Sequence, residues 1–277
     1  IKGKVGLGFK RDRVVVPQGM NAPLKKAKIT GNVKIDPKLD KVINDDIKAV
    51  EAVEFLYHNN FSEYTLSKVL SVGVLGLKKD RKLVPTRWSI TATDDMIGKK
   101  LLEKIRNYPW IENHELFFGE FMGNCYLVML FPNIFSYELF ELYLPGSSWN
   151  SGNEVKAATD MEDFYGRGNY ASNTGGGYYA ARFPILEYLE KEKKQASVIA
   201  IRIELPSYWA ALGVWVCREA MKKTLDRKPL IFQDKKELIE GSKKVGMIKF
   251  GYDPAKLFKQ SKVLSLLNQK SLSEFFS

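Results

Sequence analysis

Apolar positions recur along this chain with two different periods, and the period assigns most of its elements. Val42, Ile43, Ile47, Val50, Val53 and Leu56 fall at helical spacing and predict a helix over residues 40–59. Residues 83–91 mix β-branched and aromatic side chains, which predicts a strand. Alternation would put Arg87, Ser89, Thr91 and Thr93 on one face of it and Trp88, Ile90 and Ala92 on the other. Thr93 then offers an N-cap oxygen, with Asp94 and Asp95 in the first turn, where the helix dipole favours carboxylates. Ile97, Leu101 and Ile105 continue that helix's buried stripe. Residues 115–121 and 125–131 flank Met122-Gly123-Asn124 and predict a hairpin.

Downstream, residues 137–144 suit a strand or a helix, and 155–159 suit a short strand. Gly175-Gly176-Gly177 precedes a helix expected over 178–194, with Pro184 kinking its first turns. Residues 197–205 form the clearest strand, and 207–225 and 234–242 two further helices. Strands and helices mix without a regular βαβ repeat. The pattern therefore predicts an α+β fold, a mixed sheet with packed helices and a flexible C-terminal tail. Residues 1–250 are expected to make one body that includes the basic segment 1–38, and 251–277 a basic linker and tail.

Composition narrows the class. The 277 residues are 45% hydrophobic and 27% charged, which excludes global disorder. No run reaches 18 uninterrupted apolar residues, so no membrane span is expected. Cys125 and Cys217 stand alone, which supports neither a disulfide framework nor a zinc site in this chain. A reducing, cytoplasmic compartment is the default. Ile1 stands where an initiator Met would, so a missing upstream segment is an expectation, and no signal-peptide pattern opens the chain.

The net charge of +11 is concentrated at the ends. Residues 1–50 carry 12 Lys+Arg against 5 Asp+Glu, and residues 221–277 carry 13 against 6. Basic flanks of this kind speed the capture of a polyanion, which makes DNA a candidate partner.

The last residues carry a sharper signal. Leu272, Phe275 and Phe276 stand at i, i+3 and i+4, so one helical turn gathers them on one face, with Gln269 three residues earlier. A single turn cannot bury its own apolar face and suits the groove of a partner. This Gln-x-x-Leu-x-x-Phe-Phe spacing resembles the PCNA-interacting (PIP) motif by which replication and repair proteins bind the sliding clamp. In such motifs the glutamine enters a polar pocket and the other three side chains fill an apolar one.

Four blocks in the body mix buried-type residues with charge: 81–91, 160–170, 175–182 and 213–219. Glycines before a helix can bring backbone N–H groups to an anion. The candidate ligand or phosphate residues are Arg87, Trp88, Gly175, Gly176, Gly177, Tyr178 and Arg182, with Tyr178 and Tyr179 as stacking faces. The structural alternative has the glycines in a tight turn and Arg182 paired with a carboxylate such as Glu187. Asp160, Glu162 and Asp163 are the weak catalytic candidates, of use only if they converge on a Mg²⁺. Arg202/Glu204 and Arg218/Glu219 read as structural ion pairs.

Together with the tail, these blocks resemble the NreA-type archaeal DNA repair family over residues 66–224, most specifically at 81–91. The resemblance implies DNA repair coupled to the clamp and assigns no catalytic residue. Members commonly open on a cysteine-rich, zinc-binding segment, which is absent here. Three readings follow: a clamp-recruited factor that binds nucleic acid or a nucleotide-like ligand, a Mg²⁺-dependent nuclease or nucleotide hydrolase, and a non-enzymatic adaptor.

Overall fold

The computed structural model describes residues 31, 34–208 and 212–269. Four helices come first: α1 (Pro37–Asn44), α2 (Ala49–His58), α3 (Glu63–Ser71) and α4 (Thr86–Ile105). The helix expected over 40–59 is thus two, parted at Asp45, whose backbone is extended (φ −79°, ψ 163°). Arg81 braces this region, donating to the carbonyls of Gly76, Ile43 and Asp45, each at 2.8 Å.

The expected strand over 83–91 is a correction: from Thr86 onward it is the start of α4. Pro85 blocks helix before it, and the hydroxyls of Ser89 and Thr91 bond back to the carbonyls of Thr86 and Arg87. Helical packing here overrides a local β preference. Thr93 is therefore a buried mid-helix residue rather than an N-cap.

Strands β1 (His114–Phe121) and β2 (Asn124–Phe131) form the expected hairpin. Met122 (φ 51°) and Gly123 (φ 71°) turn it with two positive-φ residues, the arrangement that matches strand twist. There follow β3 (Ser136–Tyr143), β4 (Lys156–Glu162), α5 (Gly176–Glu192), β5 (Ser197–Glu204), α6 (Trp215–Leu225), β6 (Leu230–Phe232) and α7 (Lys235–Phe250). The helix expected from 207 begins at Trp215, after Gly213 at φ +99°.

The described strands make one mixed sheet in the order β4-β3-β5-β2-β1-β6, parallel between β3 and β5 and antiparallel elsewhere. The fold is α+β. Alternation divides two cores. Tyr126, Val128, Leu130, Val198 and Ala200 face α2–α6, while Leu127, Met129, Ile199, Ile201 and Ile203 face the C-terminal helices. No helix among the described residues is long and apolar enough to cross a membrane.

Much of the expected linker is folded. α8 (Ala255–Phe258) and α9 (Lys262–Leu267) place Leu257, Val263 and Leu264 in the second core. Glu138 of β3 fixes the start of α9: it accepts from Ser261 Oγ (2.5 Å) and from the backbone N–H groups of Lys262 and Val263 (3.1 Å each). Glu138→Ala leaves these donors without their acceptor and should cost about 1–3 kcal/mol. Limited proteolysis should then open cleavage sites near residue 261, and unchanged protection would refute the anchoring role.

A candidate nucleic-acid cleft between two helices

As a helix, α4 presents Trp88, Ala92, Asp95 and Lys99 along one face, at i, i+4, i+7 and i+11. The start of α5 and the loop of residues 163–175 complete a cleft with two parts. A cup of about 180 Å³ is lined by Asp95, Glu162, Tyr178 and Arg182 among others. A wider shelf of about 440 Å³ is lined by Trp88, Thr91, Ala92, Asp95, Tyr170 and Tyr179. Asp95, Tyr170 and Tyr179 belong to both, so the two adjoin. The first and third sequence blocks meet here.

Arg182 is buried, and its Nε donates to Glu162 Oε1 in a short charged contact. Its partner is therefore Glu162, not Glu187, which instead accepts from the Tyr57 hydroxyl at 2.8 Å. Arg182 Nη1 lies 4.0 Å from Asp95 Oδ1 and makes no hydrogen bond to the described residues. Tyr178 Oη is buried and unbonded in the same way. Burial pushes the Glu162 carboxyl up, against the pull of Arg182. Gly98 lets the helices close, since a Cβ there would come within 2.9 Å of Arg182 Nη1.

The loop is tied down by Asp160. It accepts from the backbone N–H groups of Asn173 and Thr174 (2.9 Å each) and pairs with Arg167 at 3.1 Å. Arg167 also donates to the carbonyls of Met161, Asn169 and Tyr170 and sits over the Tyr178 ring at 5.3 Å. Asp163 accepts from Tyr165 N–H within the loop. The three acidic candidates thus do separate structural work. Among the described residues no three His, Cys, Asp or Glu side chains gather to hold a metal ion.

The triple glycine answers to packing. Gly175 has φ +59°, closed to most side chains. A Cβ on Gly176 would come within 2.7 Å of Val214 Cγ1, and one on Gly177 within 2.2 Å of Glu141 Oε1. The start of α5 therefore lies against an internal carboxylate. Tyr178 is buried against Tyr137 (centroids 5.0 Å apart), so it offers no open stacking face. The open rings are Trp88 and Tyr170, each 58% exposed. Arg87 lies over Trp88 at 5.6 Å.

Sequence reasoning missed Asp95, Lys99 and Tyr170 as cleft residues. The helical spacing of Trp88, Ala92, Asp95 and Lys99 was the available signal, hidden by the strand assignment. Of the tail residues, Gln269 is exposed just past α9, while Leu272, Phe275 and Phe276 lie outside the described residues.

Residues 1–150 match the family model described as archaeal Nre, N-terminal, and residues 162–275 match archaeal Nre, C-terminal. The chain belongs to the archaeal Nre family. It is 45% identical over 222 residues to the DNA repair protein NreA of Archaeoglobus fulgidus, covering 80% of this chain and 56% of that protein. It is 36% identical over 228 residues to NreA of Haloferax volcanii (81% and 54%) and 38% over 213 residues to NreB of A. fulgidus (76% and 54%). The match spans about half the length of these Nre relatives. No solved structure matches with statistical significance. The two Nre segments are not separate sheets: β1–β3 come from the first, β5 and β6 from the second, and β5 lies between β3 and β2.

Proposed function

We propose that this chain is a DNA repair factor whose body holds nucleic acid or a nucleotide-like ligand in the α4–α5 cleft and whose tail recruits it to the sliding clamp PCNA. The observation that carries the reading is the cleft: two open aromatic rings, Trp88 and Tyr170, line a shelf that adjoins a polar cup, with Arg87 over the Trp88 ring. Aromatic faces beside positive charge suit bases and phosphates together. Relatives named DNA repair proteins give the biological setting. The exposed Gln269 after an anchored α9 supports the tail's role, since the remaining motif residues follow directly.

A tether of this kind raises the effective concentration of DNA near the body, so weak contact by the cleft suffices. Phe275→Ala with Phe276→Ala removes two anchors worth about 1.5–3 kcal/mol each. Clamp affinity should fall about a hundredfold or more, seen as lost co-elution with PCNA while circular dichroism stays unchanged. Undiminished co-elution would defeat the recruitment reading.

A further inference from the structure

The geometry points to a single unstacked nucleobase as the occupant of the α4–α5 cleft. We infer that its flat face lies along the shelf beside Tyr170 and Trp88, and that its hydrogen-bonding edge enters the cup at Arg182 Nη1, Tyr178 Oη and Asp95. This rests on the nucleic-acid reading above and adds which part of the ligand enters, and how.

Three observations carry it. First, Tyr178 and Arg182 line the cup, and Tyr178 Oη and Arg182 Nη1 are buried without a hydrogen-bond partner among the described residues. Buried polar groups in folded proteins are almost always bonded, so two together on side chains that line one cavity mark a place where a polar ligand completes the set. One is a donor and the other can donate or accept, and Asp95 adds an acceptor. A base edge presents this mixture.

Second, the charges of the cup are already matched. Arg182 pairs with Glu162, Lys99 with Asp95 at 2.7 Å, and Arg167 with Asp160 at 3.1 Å. Each of these cations is already held by a carboxylate, so a bare phosphate entering the cup would meet Asp95 and Glu162 without an unpaired counter-charge to offset them. A neutral, polar-edged ring fits better.

Third, the shelf has a stacking surface. Tyr170 packs one face on Tyr179 (centroids 5.4 Å apart, planes 25° apart) and remains 58% exposed. The backing ring holds Tyr170 in place as a platform. A phosphate chain would then pass outside, on the Arg87 side of Trp88.

The test measures fluorescence anisotropy of the full chain with short single-stranded oligodeoxynucleotides of each base, with an abasic oligomer of equal length, and with free nucleoside monophosphates as competitors. The intact strand should bind at least tenfold more tightly than the abasic one. Tyr170→Ala should weaken the intact strand about tenfold and leave the abasic strand unchanged. Tyr178→Phe removes a hydroxyl that bonds nothing within the described residues, so the fold is kept, and it should weaken the intact strand about threefold to tenfold. Equal affinity for intact and abasic strands would overturn the base assignment and leave phosphate contact standing. Binding of neither strand nor monophosphate would overturn the nucleic-acid reading itself, and this inference with it. Competition by monophosphates without strand binding would uphold the base and overturn the strand as its source.

Discussion

Asp94→Ala should lower the unfolding free energy by about 3–5 kcal/mol, read as a shifted midpoint in urea denaturation at pH 8. Asp94 Oδ1 sits 2.5 Å from Arg218 Nη1, and neither side chain is exposed to solvent. Removing the carboxylate strands a guanidinium in the first core, where the Tyr64 ring at 4.7 Å, Glu63 at 3.8 Å and Glu219 at 3.9 Å compensate in part. Replacing both partners at once, Asp94→Leu with Arg218→Met, should recover most of the loss, because a buried pair gains little over an apolar contact of similar volume. A single variant as stable as the parent would refute the pairing. The pair also leaves a pH signature. Burial pushes Asp94 up to about 7 from an ordinary 3.8, against the opposing pull of Arg218. A raised carboxyl favours the folded state fully below its unfolded value, and that contribution drains away as pH climbs from about 4 to 7. Asp94→Asn should flatten the slope across this window.

Gly177→Ala should cost about 2 kcal/mol, although alanine is the better helix former by about 1 kcal/mol. Two effects compete, and the clash wins. The new methyl would come within 2.2 Å of Glu141 Oε1. That carboxylate cannot retreat, since Arg202 Nη1 holds Oε1 at 2.9 Å and the Tyr143 hydroxyl holds Oε2 at 2.6 Å. The start of α5 must shift instead, carrying Tyr178 and Tyr179 with it, so oligonucleotide binding should weaken alongside stability. Gly168→Ala is the control: nothing lies within 4 Å of its Cβ position, and stability should be unchanged. If the two alanines behave alike, packing is not what the glycine run serves.

The legible parts of this fold are those where local chemistry and tertiary packing agree. Residues 115–131 read as a hairpin because two positive-φ turn residues separate strongly β-type runs. Asp234 marks the start of α7 because its side chain accepts from Glu237 N–H at 2.9 Å. Residues 86–91 were misread because Trp88, Ile90 and Thr91 are good strand residues, and only burial of Ser89 and Thr93 against neighbouring helices decides for helix. The basic stretch 251–269 looked solvated because Lys256, Lys259 and Lys262 are interleaved with its anchors, yet Leu257, Val263 and Leu264 are buried and dock it. In the cleft, Trp88 and Arg182 were visible as residue types. Their convergence, and the recruitment of Asp95 and Tyr170, depended on the helix phase of α4 and could not be read from a strand.

The place of β5 governs how the chain can fold as it is made. Asn124 pairs with Glu204 and Phe131 with Ser197 in the antiparallel β2–β5 ladder, while the parallel β3–β5 ladder seats Ser136 beside Ser197. A nascent chain therefore leaves one edge of β2 and one edge of β3 unpaired until β5, which ends at residue 204, has left the ribosome. Closing the sheet is a late, long-range event in synthesis. The oily strand edges exposed in that interval are where a chaperone would be needed first.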